Sequence, residues 1–154
     1  MPRLASSKVI DQITANLVAA ATTAGARVYP DRFWPLTEAD LPAIRVIAEE
    51  EIVEVQSINL PMRQRHELLV NVDGYVRAVS AADEAMNDLG FEILDGLFST
   101  NTLATLSPLE SCSMKLTGMR RGVGEGAEAA MARITVQLAV QFFTSSNEPQ
   151  NLAG

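Results

Sequence analysis

Reactive side chains are scarce in this chain. It holds one cysteine, Cys112, and one histidine, His66, so no internal disulfide can form. Neither a zinc cluster nor a histidine-based catalytic triad with recognisable partners can be put together from these two. Cys112 lies in an alternating apolar run and reads as a small buried hydrophobe. His66 begins a strand beside Arg63, Arg65 and Glu67 and reads as a surface or loop-end residue rather than a catalytic base. Basic residues are few as well, 12 Lys and Arg against 19 Asp and Glu for a formal charge of -7, which argues against nucleic acid as a specific partner. Long apolar runs are missing, and Met1 to Gln12 lacks the apolar centre of a secretory signal. Neither a membrane span nor export is expected, and synthesis and folding in the cytoplasm are. No catalytic residue, metal or cofactor is expected.

What is present is an ordinary folding composition. The 154 residues, 47% hydrophobic and 20% charged, suffice for one domain with its own core. Ser7 is placed to cap a helix over residues 8 to 23, with Ile10, Ile13, Leu17 and Ala20 on one face and Gly25 placed to stop it. The prolines between Val28 and Pro42 predict a connecting segment over Tyr29 to Leu41, with at most one helical turn at Glu38 to Leu41. Ala43 to Val55 is rich in Ile and Val and predicts a long or bent strand. Gln56 to Arg65 predicts a loop, and His66 to Val76 a half-buried strand with Leu68, Val70 and Val72 inward and Glu67, Asn71 and Asp73 outward.

A second helix is expected over residues 81 to 98, capped by Ser80, with Ala82, Met86, Leu89, Ile93 and Leu97 on its apolar face. Two strands follow. Leu109 to Thr117 turns Cys112, Met114 and Leu116 inward, and Met131 to Phe143 does so with Ala132, Ile134, Val136, Leu138, Val140 and Phe142. The expected fold is α+β: a single, mostly antiparallel sheet with two amphipathic helices packed on one face. The opposite face, with Arg133, Thr135, Gln137 and Gln141, is left open to water or to a neighbouring subunit. Residues 1–144 form the domain, and 145–154 a polar, flexible end.

Few residues invite a chemical reading. The glycines at 122, 124 and 126 lie between two strands and lack the Lys-Ser or Lys-Thr ending of a phosphate loop, so Met119 to Ala130 reads as a flexible hairpin connection. Arg120 and Arg121 at its base are either solvated or in contact with an acidic partner surface. Glu49, Glu50 and Glu51 alternate sides, with at most Glu49 and Glu51 sharing one, and mark a solvated edge or bulge rather than a cation site. Trp34, between Phe33 and Pro35, is either an interface anchor or a cap over the sheet's core. In an assembly, Glu49, Glu50, Glu51 and Glu54 of one copy would face Arg63, Arg65 or Arg120 of the next, and Arg121 and Trp34 are further candidates for a subunit or tail contact.

The stretch Val28-Tyr29-Pro30-Asp31-Arg32, then Glu38-Ala39-Asp40-Leu41-Pro42-Ala43-Ile44-Arg45-Val46, resembles the tail terminator family of long-tailed phages. The alternating strand at Glu67 to Val72 and the helix beginning near Asp83 follow in the same order. The likeness covers residues 8 to 98, and none of its residues is catalytic. It implies a structural protein of a phage or prophage virion tail, assembled in the host cytoplasm. Copies would close as a hexameric ring on the head-proximal end of the tail tube, ending tube growth and allowing head-tail joining. The partners so implied are further copies of the chain, the tail tube protein and the head-tail connector protein. A tail-completion or connector protein of similar fold is the alternative within that class. A small acid/base enzyme using Glu49, Glu51, His66 or Asp73 is the alternative from another.

Overall fold

The structure, a computed structural model, describes residues 4–30, 41–77, 82–98, 103–106, 109–124 and 131–153. Their elements run α1 (Ala5–Ala19), β1 (Val28–Pro30), β2 (Ala43–Val55), β3 (Arg63–Arg77), α2 (Ala82–Phe98), β4 (Leu103–Leu106), β5 (Leu109–Gly124), β6 (Met131–Ser145) and β7 (Glu148–Ala153). The strands make one sheet in the order β1-β2-β3-β6-β5-β4, with β7 also on β6. Every pairing is antiparallel except that of β1 with β2. Both helices pack on the same face, so the α+β expectation holds.

That face is built from the alternation visible in the sequence. Leu68, Val70 and Val72 of β3 stand opposite Val140, Leu138 and Val136 of β6, and all six are buried with Ile13 and Leu17 of α1 and Leu89 and Ile93 of α2. Helix α2 comes very close to the sheet because Gly90 and Gly74 carry no side chain. A Cβ on Gly90 would stand 2.6 Å from Ile134 Cδ1, and one on Gly74 2.8 Å from Leu89 Cδ2. Asp83 and Glu84 in the first turn of α2 suit the positive end of the helix dipole.

Several boundaries differ from expectation. Helix α1 starts at Ala5 and ends at Ala19, and Leu4 at its N-cap offers no side-chain hydrogen bond. Ser7 lies inside the first turn, its N–H donating to the Leu4 carbonyl at 3.0 Å. The chain leaves the helix through Ala21 (φ 53), while Gly25 (φ 59) closes the next turn with its N–H on the Thr22 carbonyl. Strand β1 falls inside the expected connection: three residues of β2 give it partners, Val28 to Ile44 through Pro30 to Val46, which a proline-rich sequence does not reveal. The Glu38 to Leu41 turn lies, but for Leu41, outside the described residues, as does the Ser80 cap.

Strand β3 starts at Arg63, so the loop before it is shorter than expected. Met119 to Gly124 is not loose connection but the last part of β5, paired to Val136 through Met131. The end after residue 145 is not a flexible tail. Glu148 to Ala153 forms β7, and Leu152 packs against the core. The Met62 carbonyl accepts the Ser146 N–H at 2.8 Å, and the Ser146 hydroxyl accepts the Met62 N–H at 2.9 Å.

Candidate assembly interface

Two parts of the sheet carry the residues of interest. The first is the far half of the β2–β3 hairpin. In β2 the first residues are buried, but every residue from Glu49 to Val55 is exposed. The change begins at a bulge between Ala48 and Glu50, where Glu49 is the extra residue. The expectation of an edge or bulge at the three glutamates is met there.

Beyond the bulge the side-chain faces are set by β3. Glu51, Val53 and Val55 stand opposite Leu68, His66 and Gln64 on the helix-bearing side, and Glu50, Ile52 and Glu54 opposite Leu69, Glu67 and Arg65 on the other. Glu49 therefore does not share a regular face with Glu51. The arm is apolar at the same time: of the eight exposed large hydrophobics among the described residues, Ile52, Val53, Val55, Ile58 and Leu60 all belong to it, with Ile58 94% and Leu60 82% exposed. These five were not singled out in the sequence. The nearest signal was two large aliphatics in a segment that also holds Asn59 and Pro61, which marks it as a loop.

The basic residues named beside these glutamates divide. Arg65 is ion-paired with Glu54 of its own hairpin, and the Arg63 guanidinium lies 4.3 Å over the Phe143 ring. Both are thus engaged within the subunit. Arg120 and Arg121 follow a second bulge, between Leu116 and Gly118, whose extra residue Thr117 donates its hydroxyl to the Gln137 carbonyl at 3.1 Å. Arg120 stands opposite Thr135 and Arg121 opposite Ile134, so they face opposite ways. Arg121 donates to Asn87 Oδ1 on α2 at 3.1 Å. Arg120 is exposed and makes no hydrogen bond or ion pair among the described residues. Trp34 lies outside the described residues.

His66 is not a surface residue. With β3 beginning three residues earlier, it sits within the strand on the helix-bearing side, 9% exposed. Its ring stacks on Phe142, its register partner in β6, with centroids 4.8 Å apart and planes 7° from parallel. Nε2 is 2.6 Å from the Thr144 hydroxyl, and Nδ1 lies 3.7 Å from a Glu51 carboxylate oxygen. This is a polar contact closing the end of the core under the start of α1.

The sheet face away from the helices is only partly open. Arg45, Asp73 and Thr135 lie side by side across β2, β3 and β6. Asp73 and Thr135 are each 5% exposed, against the expectation that both face solvent. The Thr135 hydroxyl donates to Asp73 at 2.7 Å, Arg45 lies 3.7 Å from the same carboxylate and donates to the Tyr75 hydroxyl at 2.7 Å. Burial, then the negative charge of Asp73, raises the Tyr75 pKa, while the guanidiniums of Arg45 and Arg133 pull it the other way. Leu41, Ala43, Tyr75 and Met131 add a small second core on this side. Such a satisfied network fixes the register of three strands.

A cleft of about 390 Å³ is walled by apolar side chains including Leu41, Pro42, Val76 and Leu89, with Asp88 and Arg77 at its polar side. An arginine stays protonated and cannot act as a base, so this pair offers no acid/base couple. Among the described residues no group of three His, Cys, Asp or Glu is placed to hold a metal ion. Nor is any helix among them long and apolar enough to cross a membrane.

No protein-family model matches the chain, and no curated protein matches it. Among solved structures, it is similar to a chain in the virion of a native gene transfer agent particle, at 22% identity and a TM-score of 0.41, covering 86% of this chain and 90% of that chain.

Proposed function

We propose that the chain is a structural subunit of a phage-type virion tail, whose copies close as a ring on the head-proximal end of the tail tube. The ring ends tube growth and presents a surface for head-tail joining. The observation that carries this reading is the β2–β3 arm, where Ile52, Val53, Val55, Ile58 and Leu60 are exposed together instead of buried. Exposed aliphatic side chains gathered on one feature are the mark of an interaction site.

The role itself needs no reactive group. A tube grows because each ring offers a face that recruits the next, a heterologous contact that does not close along the axis. A terminator must bind that face without reproducing it, and shape and charge suffice for this. The order of motifs from Val28 to Val46, which resembles that of tail terminators, supports the same role.

The test is assembly. The purified chain should form rings of about six copies in electron micrographs, at high concentration or on tube ends. Tails assembled without it should overgrow and fail to join heads. A chain that stays monomeric under both conditions, with tails that reach normal length in its absence, removes the reading.

A further inference from the structure

Two free sheet edges of opposite charge lie at opposite corners of the molecule. On one side β1 covers β2 only from Ile44 to Val46, so among the described residues the outer edge of β2 has no strand partner from Ile47 to Val55. On the other side β4 pairs with β5 only as far as Lys115, so among the described residues the outer edge of β5 has no strand partner from Leu116 to Gly124. The two free stretches flank the central β3–β6 pair from opposite sides. They also lie toward opposite ends of it: the β2 stretch is level with Gln64 to Asn71 of β3, and the β5 stretch with Met131 to Leu138 of β6.

Their charges are complementary. The β2 stretch carries Glu49, Glu50, Glu51 and Glu54 with no lysine or arginine. Arg65 neutralises only Glu54, and Glu49 and Glu50 are exposed without a cationic partner among the described residues. The β5 stretch carries Arg120 and Arg121, and Lys115 just before it, with no acid between them. Arg120 and Lys115 are exposed, and neither is engaged among the described residues. Each free stretch also contains a bulge near its start, at Glu49 and at Thr117. Bulges and like charges discourage a strand from pairing with copies of itself, so each edge disfavours its own kind and accepts the other.

We infer that neighbouring copies join edge to edge, the acidic outer edge of β2 on one copy lying against the basic outer edge of β5 on the next. This rests on the ring reading above and names the surfaces that close the ring. Unlike edges at opposite corners give a head-to-tail contact that repeats around an axis. It also shields Ile52, Val53 and Val55, each about half exposed in the single chain, which charge pairing alone does not explain.

Disulfide trapping and charge exchange test this in the full chain. Glu50→Cys combined with Arg120→Cys should give ladders of linked copies under mild oxidation, and either substitution alone should not. Glu50→Lys or Arg120→Glu alone should weaken self-association at low salt on the order of tenfold, and the two in one chain should restore most of it. If rings form normally but neither single reversal weakens them and no ladder appears, the edge pairing is wrong and the ring reading stands. If the arm cysteine cross-links to tube protein instead, the occupant of the β2 edge is the tube and the inference fails. A wild-type chain that never assembles removes the ring reading and the edge pairing together.

Discussion

The two halves of the β2–β3 hairpin share strand geometry and sequence type but not environment. From Ala43 to Val46, β2 lies under the helices and beside β1, and Ile44 and Val46 are fully buried. From Glu49 onward the same strand keeps its pairing with β3 and loses its cover, leaving Ile52, Val53 and Val55 about half exposed. Strand propensity and pairing therefore do not decide burial here. The reach of the two helices decides it, and the covered half carries the packing.

The sharpest way to break this contrast is inside the covered part. Leu138→Asp places a carboxylate at a position 1% exposed, where no cation or donor replaces water. It should cost about 4 kcal/mol or more and leave the chain unfolded by circular dichroism. A soluble variant that melts cooperatively would overturn the inward assignment of β6 and its register.

A smaller effect is expected where α2 meets the sheet. Gly90→Val drives new methyl groups into Ile134 and should lower stability by about 1–3 kcal/mol in denaturant melts. Combining it with Ile134→Ala should recover part of the loss, because the two side chains compete for one space. Equal losses in the single Gly90→Val variant and the double variant would show that α2 does not sit on Ile134.

The polar row on the other face gives a pH dependence. Folding raises the pKa of Tyr75 above its ordinary 10.0, so the folded chain holds the phenolic proton more tightly than the unfolded one. That contribution is complete below pH 10 and is lost as the pH rises through the folded value. Stability should fall on that alkaline side, and the Tyr75→Phe variant, although less stable at neutral pH, should show a shallower fall. Parallel alkaline declines would exclude Tyr75 as the group responsible.

On the arm the expected change in stability is smallest. Ile58→Ser with Leu60→Ser should alter stability by no more than about 0.5 kcal/mol while reducing ring formation or tail completion. A large drop in melting temperature with assembly intact would mean that the arm packs as core.

What could be read from the chain beforehand follows the same division. Strand β6 was legible because its apolar residues alternate without a break from Ala132 to Phe142, and β2 because a dense Ile and Val run is cut by three acids. Strands β1, β4 and β7 were not, being short or rich in proline and polar residues, although β4 and β7 pair with the strands next to them in the chain. His66 among charged neighbours reads as exposed until Phe142 is placed beside it across the sheet. The glutamates of the candidate interface were legible as a solvated edge. The capture of Arg65 by Glu54 was not, because it depends on register, nor was which of Arg120 and Arg121 faces the helices, because a single inserted residue sets it.

That dependence gives the bulge at Glu49 a further meaning. Strand side chains alternate with a period of two, so one extra residue acts as a parity switch for all that follows. It sends Glu51 beneath the start of α1, beside His66, and turns Glu50 and Glu54 to the opposite face. If Glu49 were drawn into the ladder opposite Leu69, the even-numbered residues of the arm would continue on the side of Ile44 and Val46, exchanging the two faces from end to end. Deleting Glu49, by contrast, would change the net charge by a single unit and leave Glu50 to Val55 opposite the same residues of β3, so what addresses the contacts of the arm is whether this one residue is held out of the ladder.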